Sequence, residues 1–529
     1  MVLSWRRSAR TPWEEEVDAV AQNSLFATKS VAQLLAEGSD EGENTLKRAL
    51  GRWSLVAIGI GAIIGAGIFV MTGIGAHGSL NDDGTVKILG AGPALSLSFV
   101  LAGIACVFAG LCYAEFASMI PLAGSAYTYA YATLGELFAW IIGWDLVLEY
   151  AMGAATVSVG WSGYCVKFLK LFGIHFPEWL ANDWITYSRA ATMAAQSGHP
   201  LAPPPTIGGI PIVFNFLALA AALFVTAVLA RGIQESARLN SAIVFTKTAV
   251  VVMVIFVGAF YVKSANWGTT WSDFAPNGMA GIASGAAYIF FAYIGFDAIS
   301  TTAQEAKNPQ KDMPFGIIGS LLVCTVLYIA VALVLTGMIH WSKIDLKAPI
   351  AQAFEGYGLG WAVFLITGGA LAGLTSVMLV MLLGQTRVFF AMSRDGLLPK
   401  KIFGEVHTRY RTPFKMTWIV GSICALLGAL TPIDDLGQMV NIGTLLAFVI
   451  VSAAVIILRR TNPDAPRPFR TPAVPLVPIL GALFCFYLML NLGWHTWARL
   501  VVWLALGLAI FFGYSRHHSK LTAPTAAAK

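Results

Sequence analysis

The sequence predicts an all-α polytopic membrane protein with twelve transmembrane helices. Hydrophobic residues make up 57% of the chain and charged residues 12%, against roughly 25% charged residues in an ordinary soluble protein. Apolar stretches long enough to cross a bilayer recur along most of its 529 residues. Lys and Arg collect in alternate loops, the pattern that a polytopic protein uses to fix its orientation.

The twelve apolar segments fall at about 53–75, 93–119, 136–168, 211–230, 239–262, 279–303, 314–338, 360–386, 416–431, 437–458, 475–493 and 497–514. Breakers separate them, among them Pro203-Pro204-Pro205 and Asn308-Pro309. The longest loop between segments, about 169–210, holds the proline triplet and reads as an irregular extramembrane hairpin. The polar start, with Arg6-Arg7 and Glu14-Glu15-Glu16, does not read as a cleavable leader. With the N-terminus in the cytoplasm, 25 Lys and Arg lie on the inner side and eight on the outer. This predicts a multi-pass protein of the cell inner (plasma) membrane with both termini cytoplasmic. The six cysteines form no CxxC pair and read as small membrane residues.

Segment spacing divides the chain into a cytoplasmic N-terminal segment (1–52), a first five-helix half (53–263), a second (279–458), helices eleven and twelve (475–514) and a cytoplasmic tail (515–529). The first segment carries Gly59, Gly61, Gly65 and Gly67 within nine residues. Close helix packing through small residues explains Gly61 and Gly65 but not the others. Glycine lets backbone leave the helix, and bare backbone at this depth is tolerated only where it lines a cavity or is buried in protein. The sixth segment has its own break signal, Gly295, followed by the mid-membrane acid Asp297. Interrupted segments at matching places in two halves point to a transporter's binding site.

The chemistry of such a site follows. Amides of a helix resuming after Gly65 suit a carboxylate. Carbonyls of half-helices ending near Ile63 and Phe291 suit an ammonium. An L-α-amino acid is a zwitterion that fits both. Lys247, in the middle of the fifth segment, is too deep to reach the interface easily and needs a partner. Asp145 and Glu149 share one face of the third segment. No nucleotide-binding loop, HExxH or histidine cluster is present, which disfavours an enzyme, a metal centre or a coupled ATPase.

Several stretches identify the chain more closely: Gly61-Ala-Ile-Ile-Gly-Ala-Gly-Ile-Phe69, Tyr113-Ala-Glu-Phe116, Pro121-Leu-Ala-Gly-Ser-Ala-Tyr127, Gly143-Trp-Asp-Leu-Val-Leu-Glu-Tyr150, Phe290-Phe-Ala-Tyr-Ile-Gly-Phe-Asp297, Glu305-Ala-Lys-Asn-Pro309 and Ser393-Arg-Asp-Gly-Leu-Leu-Pro399. With these, the chain resembles the amino acid–polyamine–organocation (APC) superfamily, and within it the bacterial cationic amino acid transporter family. The resemblance implies a 5+5 inverted-repeat core with discontinuous helices 1 and 6, plus two peripheral helices. It implies alternating-access symport of an L-amino acid, broad or cationic in range, with a proton and without sodium or a bound cofactor. It places substrate against Ile63, Gly65, Ala66, Gly67, Gly153, Phe291, Ala292 and Ile294. It assigns proton coupling to Lys247, standing where relatives hold sodium and reaching carbonyls near Ile60 and Gly61, together with Glu149 and Asp297. Buried lysines release a proton more readily than exposed ones. The implied partners are the substrate and the lipid bilayer, with no nucleic acid. A sodium-independent uniporter or exchanger, and a non-transporting membrane sensor of amino acids, remain the alternatives.

Overall fold

The structure is a computed structural model that describes residues 25–29, 50–81, 84–120, 125–232, 237–297, 299–300 and 306–521. Most of the expected N-terminal segment and tail, residues 121–124 of one motif and Glu305 of another lie outside the described residues.

Apolar runs fold as helices, because inside a bilayer every backbone amide and carbonyl must be satisfied within the segment. The helices are α1 (Arg52–Ile63), α2 (Thr72–His77), α3 (Leu95–Met119), α4 (Ser125–Thr133), α5 (Glu136–Lys170), α6 (Trp184–Gln196), α7 (Phe216–Ala230), α8 (Ala237–Ala259), α9 (Gly278–Ile289), α10 (Pro309–Met338), α11 (Pro349–Glu355), α12 (Gly360–Arg394), α13 (Phe414–Leu430), α14 (Ile433–Thr461), α15 (Leu476–Leu490) and α16 (Trp494–Ile510). Among the described residues, seven helical stretches are long and apolar enough to cross a membrane, and the bent first segment, Arg52–Ile63 with Gly67–His77, makes an eighth. Phe216–Ala230, Phe414–Leu430 and Leu476–Leu490 are shorter apolar helices. Threonines inside these helices bond back to the carbonyl four residues earlier, as Thr156 does to Met152 and Thr367 to Val363, so they add no unsatisfied hydroxyl.

Two hairpins depart from the all-helical expectation. β1 (Gly78–Leu80) pairs antiparallel with β2 (Val86–Leu89), and β3 (Thr206–Ile207) with β4 (Ile210–Pro211). Gly208 and Gly209, both at positive φ, make the tight turn of the second. The loop expected to be irregular is therefore ordered. It also holds α6, whose start is capped by Asp183 accepting from the Thr186 amide at 3.0 Å.

The helix α5 is the spine. It packs against α12, α14, α7 and α13. On its outer side α5 meets α16 through three indoles. Trp144 stacks on Trp503 with centroids 4.5 Å apart, and each donates to the other's carbonyl, at 2.9 and 3.1 Å. Trp140 donates to the Gly507 carbonyl at 3.0 Å. A second set, α1, α3, α8 and α10, packs together on the other side of the core. Glu115, buried at the end of α3, is held by Arg459 at 2.7 and 3.1 Å and by the Thr471 amide at 2.7 Å, which gives it a structural role.

Candidate functional site

The site is built where two segments lose their helical course. After Ile63, Ile64 turns extended (ψ 104°), and the chain re-enters as a π-turn at Gly67–Met71 before α2. The two parts of the segment are bent by 42°. In the sixth segment α9 gives way to a tight turn at Phe290–Tyr293, Ile294 is extended (ψ 135°), and Gly295 takes φ +117°, a conformation that favours glycine. The two breaks touch. A Cβ added to Gly67 would stand 2.0 Å from the Ala292 Cα, and one on Gly295 would stand 2.7 Å from the Ala62 carbonyl oxygen. Ile63, Gly65, Ala66, Gly67, Phe291, Ala292 and Ile294 are thus brought together, all buried.

Of the first amides of the resumed helix, that of Phe69 donates back to the Gly65 carbonyl at 3.3 Å, and those of Gly67 and Ile68 stand at the helix start as donors suited to a carboxylate. The carbonyls on the other side of the break are partly committed. Ile60 accepts from the Ile64 amide at 2.9 Å, Gly61 from the Lys247 ammonium, and Ile63 from the Tyr328 hydroxyl at 2.9 Å. The Ile63 carbonyl, expected to be free for an ammonium, therefore keeps one lone pair rather than two. At the second break, the Asn441 amide donates to the carbonyls of Ala287 (2.9 Å) and Tyr288 (2.6 Å), and the Ile294 amide donates to Phe291 at 3.2 Å. Tyr328 and Asn441 are not among the residues expected from the sequence; the only signal for them is a polar group inside an apolar segment, which must find a partner there.

Lys247 is 1% exposed on α8 and donates to the Gly61 carbonyl, inside the last turn of α1. Gly61 lets α8 approach this closely, since a Cβ there would meet the Val244 side chain at 2.5 Å. Lys247 also packs on Gly373 of α12, so it bridges α1 and α12 from α8. The acids form a separate group. Glu149 has Asp297 and Asp145 as charged neighbours, and Tyr113 and Tyr150 lie in the neighbourhood of the same two carboxyls, Glu149 and Asp297. Asp297 accepts from the Gly295 amide at 3.2 Å, so it helps hold the second break. Both carboxyl oxygens of Asp145 and one of Glu149 lack a hydrogen-bond partner among the described residues.

Side-chain space beside the break is bounded by apolar groups of α12. A Cβ on Gly153 would lie 3.3 Å from the Met381 sulfur, and one on Gly65 would lie 2.8 Å from Val377. Thr375, on the same helix, accepts from the Trp161 indole at 3.1 Å, which ties α12 to α5.

Polar side chains tie the helices together at both ends of the core. On one face, Asp395, just after α12, accepts from Lys29 at 2.8 Å and Tyr127 at 2.6 Å, and its carbonyl accepts from the Lys520 amide at 3.1 Å. The Ser519 hydroxyl donates to Glu136, which also accepts from Tyr131 at 2.9 Å. On the opposite face, the strap before α11 lies on α2 and α5, with the Asp345 carbonyl against Gly73 and the Lys347 side chain against Gly163. Lys347 donates to Asn182 at 2.6 Å, and burial holds its ammonium below the usual lysine range despite the nearby Asp183, Asp345 and Glu178.

The chain is similar in sequence to known proteins. Residues 50–513 match the family model described as amino acid permease. The chain is 49% identical to the branched-chain amino acid permease BcaP of Bacillus subtilis over 501 residues, covering 94% of this chain and 99% of that one. It is 45% identical to the methylthioribose transporter of the same organism, over 94% of this chain and 99% of that one. It is 36% identical to the vacuolar cationic amino acid transporter 4 of Arabidopsis thaliana, over 84% of this chain and 68% of that one. With its apolar helices interrupted beside a buried lysine, the chain is a multi-pass membrane protein that belongs to the amino acid permease family of the APC superfamily.

Proposed function

We propose that this permease moves an L-amino acid together with a proton by alternating access, through twelve spans, ten of them arranged as two inverted five-helix repeats and two peripheral, with both termini in the cytoplasm. The observation that carries the coupling is the Lys247 ammonium seated on the Gly61 carbonyl. As an ammonium it ties α8 to the end of α1; as an amine it loses the charge that strengthens that bond. A proton on Lys247 thus favours one arrangement of the first break over another, and the same break supplies the amides that receive the substrate carboxylate. Glu149 and Asp297, with Tyr113 and Tyr150 around them, take part in the proton's path. No sodium and no bound cofactor enter this scheme.

The substrate's side chain points toward Gly153, Val377 and Met381 in this reading, with Phe291 at its mouth. These walls favour an apolar, branched side chain over a cationic one, because an unpaired charge against Met and Val is not repaid. The 49% identity to a protein named for branched-chain amino acids supports the same choice. The 45% identity to a protein named for methylthioribose favours one second reading, in which that compound is the cargo.

Uptake into proteoliposomes tests both. An inward proton gradient should drive accumulation of isoleucine, leucine or valine in sodium-free buffer, and methylthioribose should not compete. Accumulation that needs sodium would refute the proton mechanism, and methylthioribose uptake without amino acid uptake would replace the substrate.

A further inference from the structure

A groove of about 530 Å³ lies on the outside of the core, between α5, α13, α14 and α16. Its walls are graded. Thr431, Asp435 and Arg499 mark one end; Met439, Val502 and Leu506 lead inward, and Leu148 and Met152 of α5 line it from the core side. From Arg499 to Leu506 is seven residues of one helix, roughly 10 Å of depth. The groove opens sideways, since Val502 is 68% and Leu506 52% exposed on a helix of membrane-spanning character.

The polar end carries paired charges of both signs. Arg499 donates to Asp435 at 2.5 Å, and Lys87 sits 3.0 Å from Asp435 and 2.9 Å from Asp434. The Arg499 side chain is 45% exposed and spends one donor on Asp435, while a guanidinium has five. Its fork suits a phosphate, and the carboxylates beside it suit an ammonium. A polar cap of both signs above an apolar slot that faces hydrocarbon matches one class of molecule.

We infer that this groove is a binding site for a membrane phospholipid with a zwitterionic headgroup, its phosphate on Arg499, its ammonium toward Asp435 and one acyl chain against Leu148 and Met152. The site is distinct from the amino acid site but shares a wall with it. Leu148 and Met152 flank Glu149 and precede Gly153 on α5, and Trp503, beside the groove, is the residue that stacks on Trp144 of the same helix. A seated acyl chain therefore backs the helix that carries the site.

The test uses the full-length protein in nanodiscs of phosphatidylethanolamine and phosphatidylglycerol, doped with a phosphatidylethanolamine that carries a diazirine in its acyl chain. After irradiation and digestion, peptides covering 427–439 and 498–506 should be labelled several-fold more than the peptide around Val326, which is 67% exposed on α10 outside the groove. Ala498→Trp fills the groove and should remove the excess; Thr431→Phe does so from the other wall, should the first variant fold poorly. Arg499→Gln should lower the excess by removing the phosphate's partner. Equal labelling of groove and Val326 peptides in the wild type would overturn the proposal, as would an excess that survives both filling variants. The readout does not depend on transport, so a failed proton mechanism would leave it standing.

Discussion

Gly67 lies against Ala292 so closely that even a methyl group would stand 2.0 Å from the Ala292 Cα. This is where the two interrupted segments meet, backbone on backbone. Gly67→Ala must push them apart. Overpacking of a tight core costs about 1–3 kcal/mol, and here the obstacle is main chain, which yields less than a side chain. The variant is expected to lose most uptake and several degrees of melting temperature in detergent. Gly368→Ala, where nothing lies within 4 Å of an added Cβ, is the matched control and should behave as wild type. Unchanged uptake by Gly67→Ala would mean that the breaks do not meet as described.

Tyr328 caps the Ile63 carbonyl from α10. Tyr328→Phe removes one buried hydrogen bond and frees the carbonyl's second lone pair, at a cost of about 0.5–1.5 kcal/mol. Substrate affinity, read by isothermal titration, should change while the melting temperature falls only slightly. A variant with wild-type affinity would show that this carbonyl does not face the substrate.

Asp395 gathers Lys29, Tyr127 and the Lys520 amide at the end of α12. The pair with Lys29 is mostly shielded, its side chains 10% and 12% exposed. Asp395→Asn keeps the shape and removes the charge, which should weaken this closure by about 1.5–3 kcal/mol, the usual range for hydrogen bonds to charged groups. Hydrogen exchange in residues 25–29 and 125–137 should rise sharply while that of α10 stays the same. Uniform exchange across both regions would contradict a local lock.

On the opposite face Lys170 and Lys167 hold Glu355 at 2.7 and 3.1 Å. Burial raises the Glu355 pKa, but the two ammonium groups outweigh it and leave the carboxyl below its ordinary range. A depressed carboxyl adds stability above its unfolded pKa and loses it as pH falls through the folded one. Glu355→Gln should therefore melt lower than wild type by the same small amount from pH 7 to about pH 5, and the gap should close only in stronger acid. The side chain is 36% exposed, so the gap is on the order of 1 kcal/mol or less. A gap that closes between pH 7 and pH 6 would assign it to another group.

Much of this architecture is readable from residues alone, for physical reasons. A bilayer demands long apolar helices, so the spans around Leu95–Met119, Glu136–Lys170 and Gly360–Arg394 announce themselves. Four clustered glycines mark the first break, because glycine, with no Cβ, lets backbone leave the helix most readily. The ordered loop carries local signals in the Asp183 cap and the Gly208-Gly209 turn, but they stand beside a proline triplet, whose fixed φ and missing amide favour irregular chain. What the sequence does not carry is pairing at a distance. Tyr328 finds Ile63 across 265 positions and Asn441 finds Tyr288 across 153. Asp395 is joined from both ends of the chain, and no local pattern foretells that.

The central claim is that Lys247, through the Gly61 carbonyl, makes amino acid movement depend on a proton. Lys247→Met keeps an unbranched chain one atom shorter and removes the ammonium. The decisive measurement is the luminal pH of proteoliposomes, read with a trapped dye, when isoleucine is added outside. Wild-type protein should acidify the lumen in step with isoleucine entry, and Lys247→Met should give no isoleucine-dependent acidification. Acidification of wild-type size in Lys247→Met would contradict the mechanism.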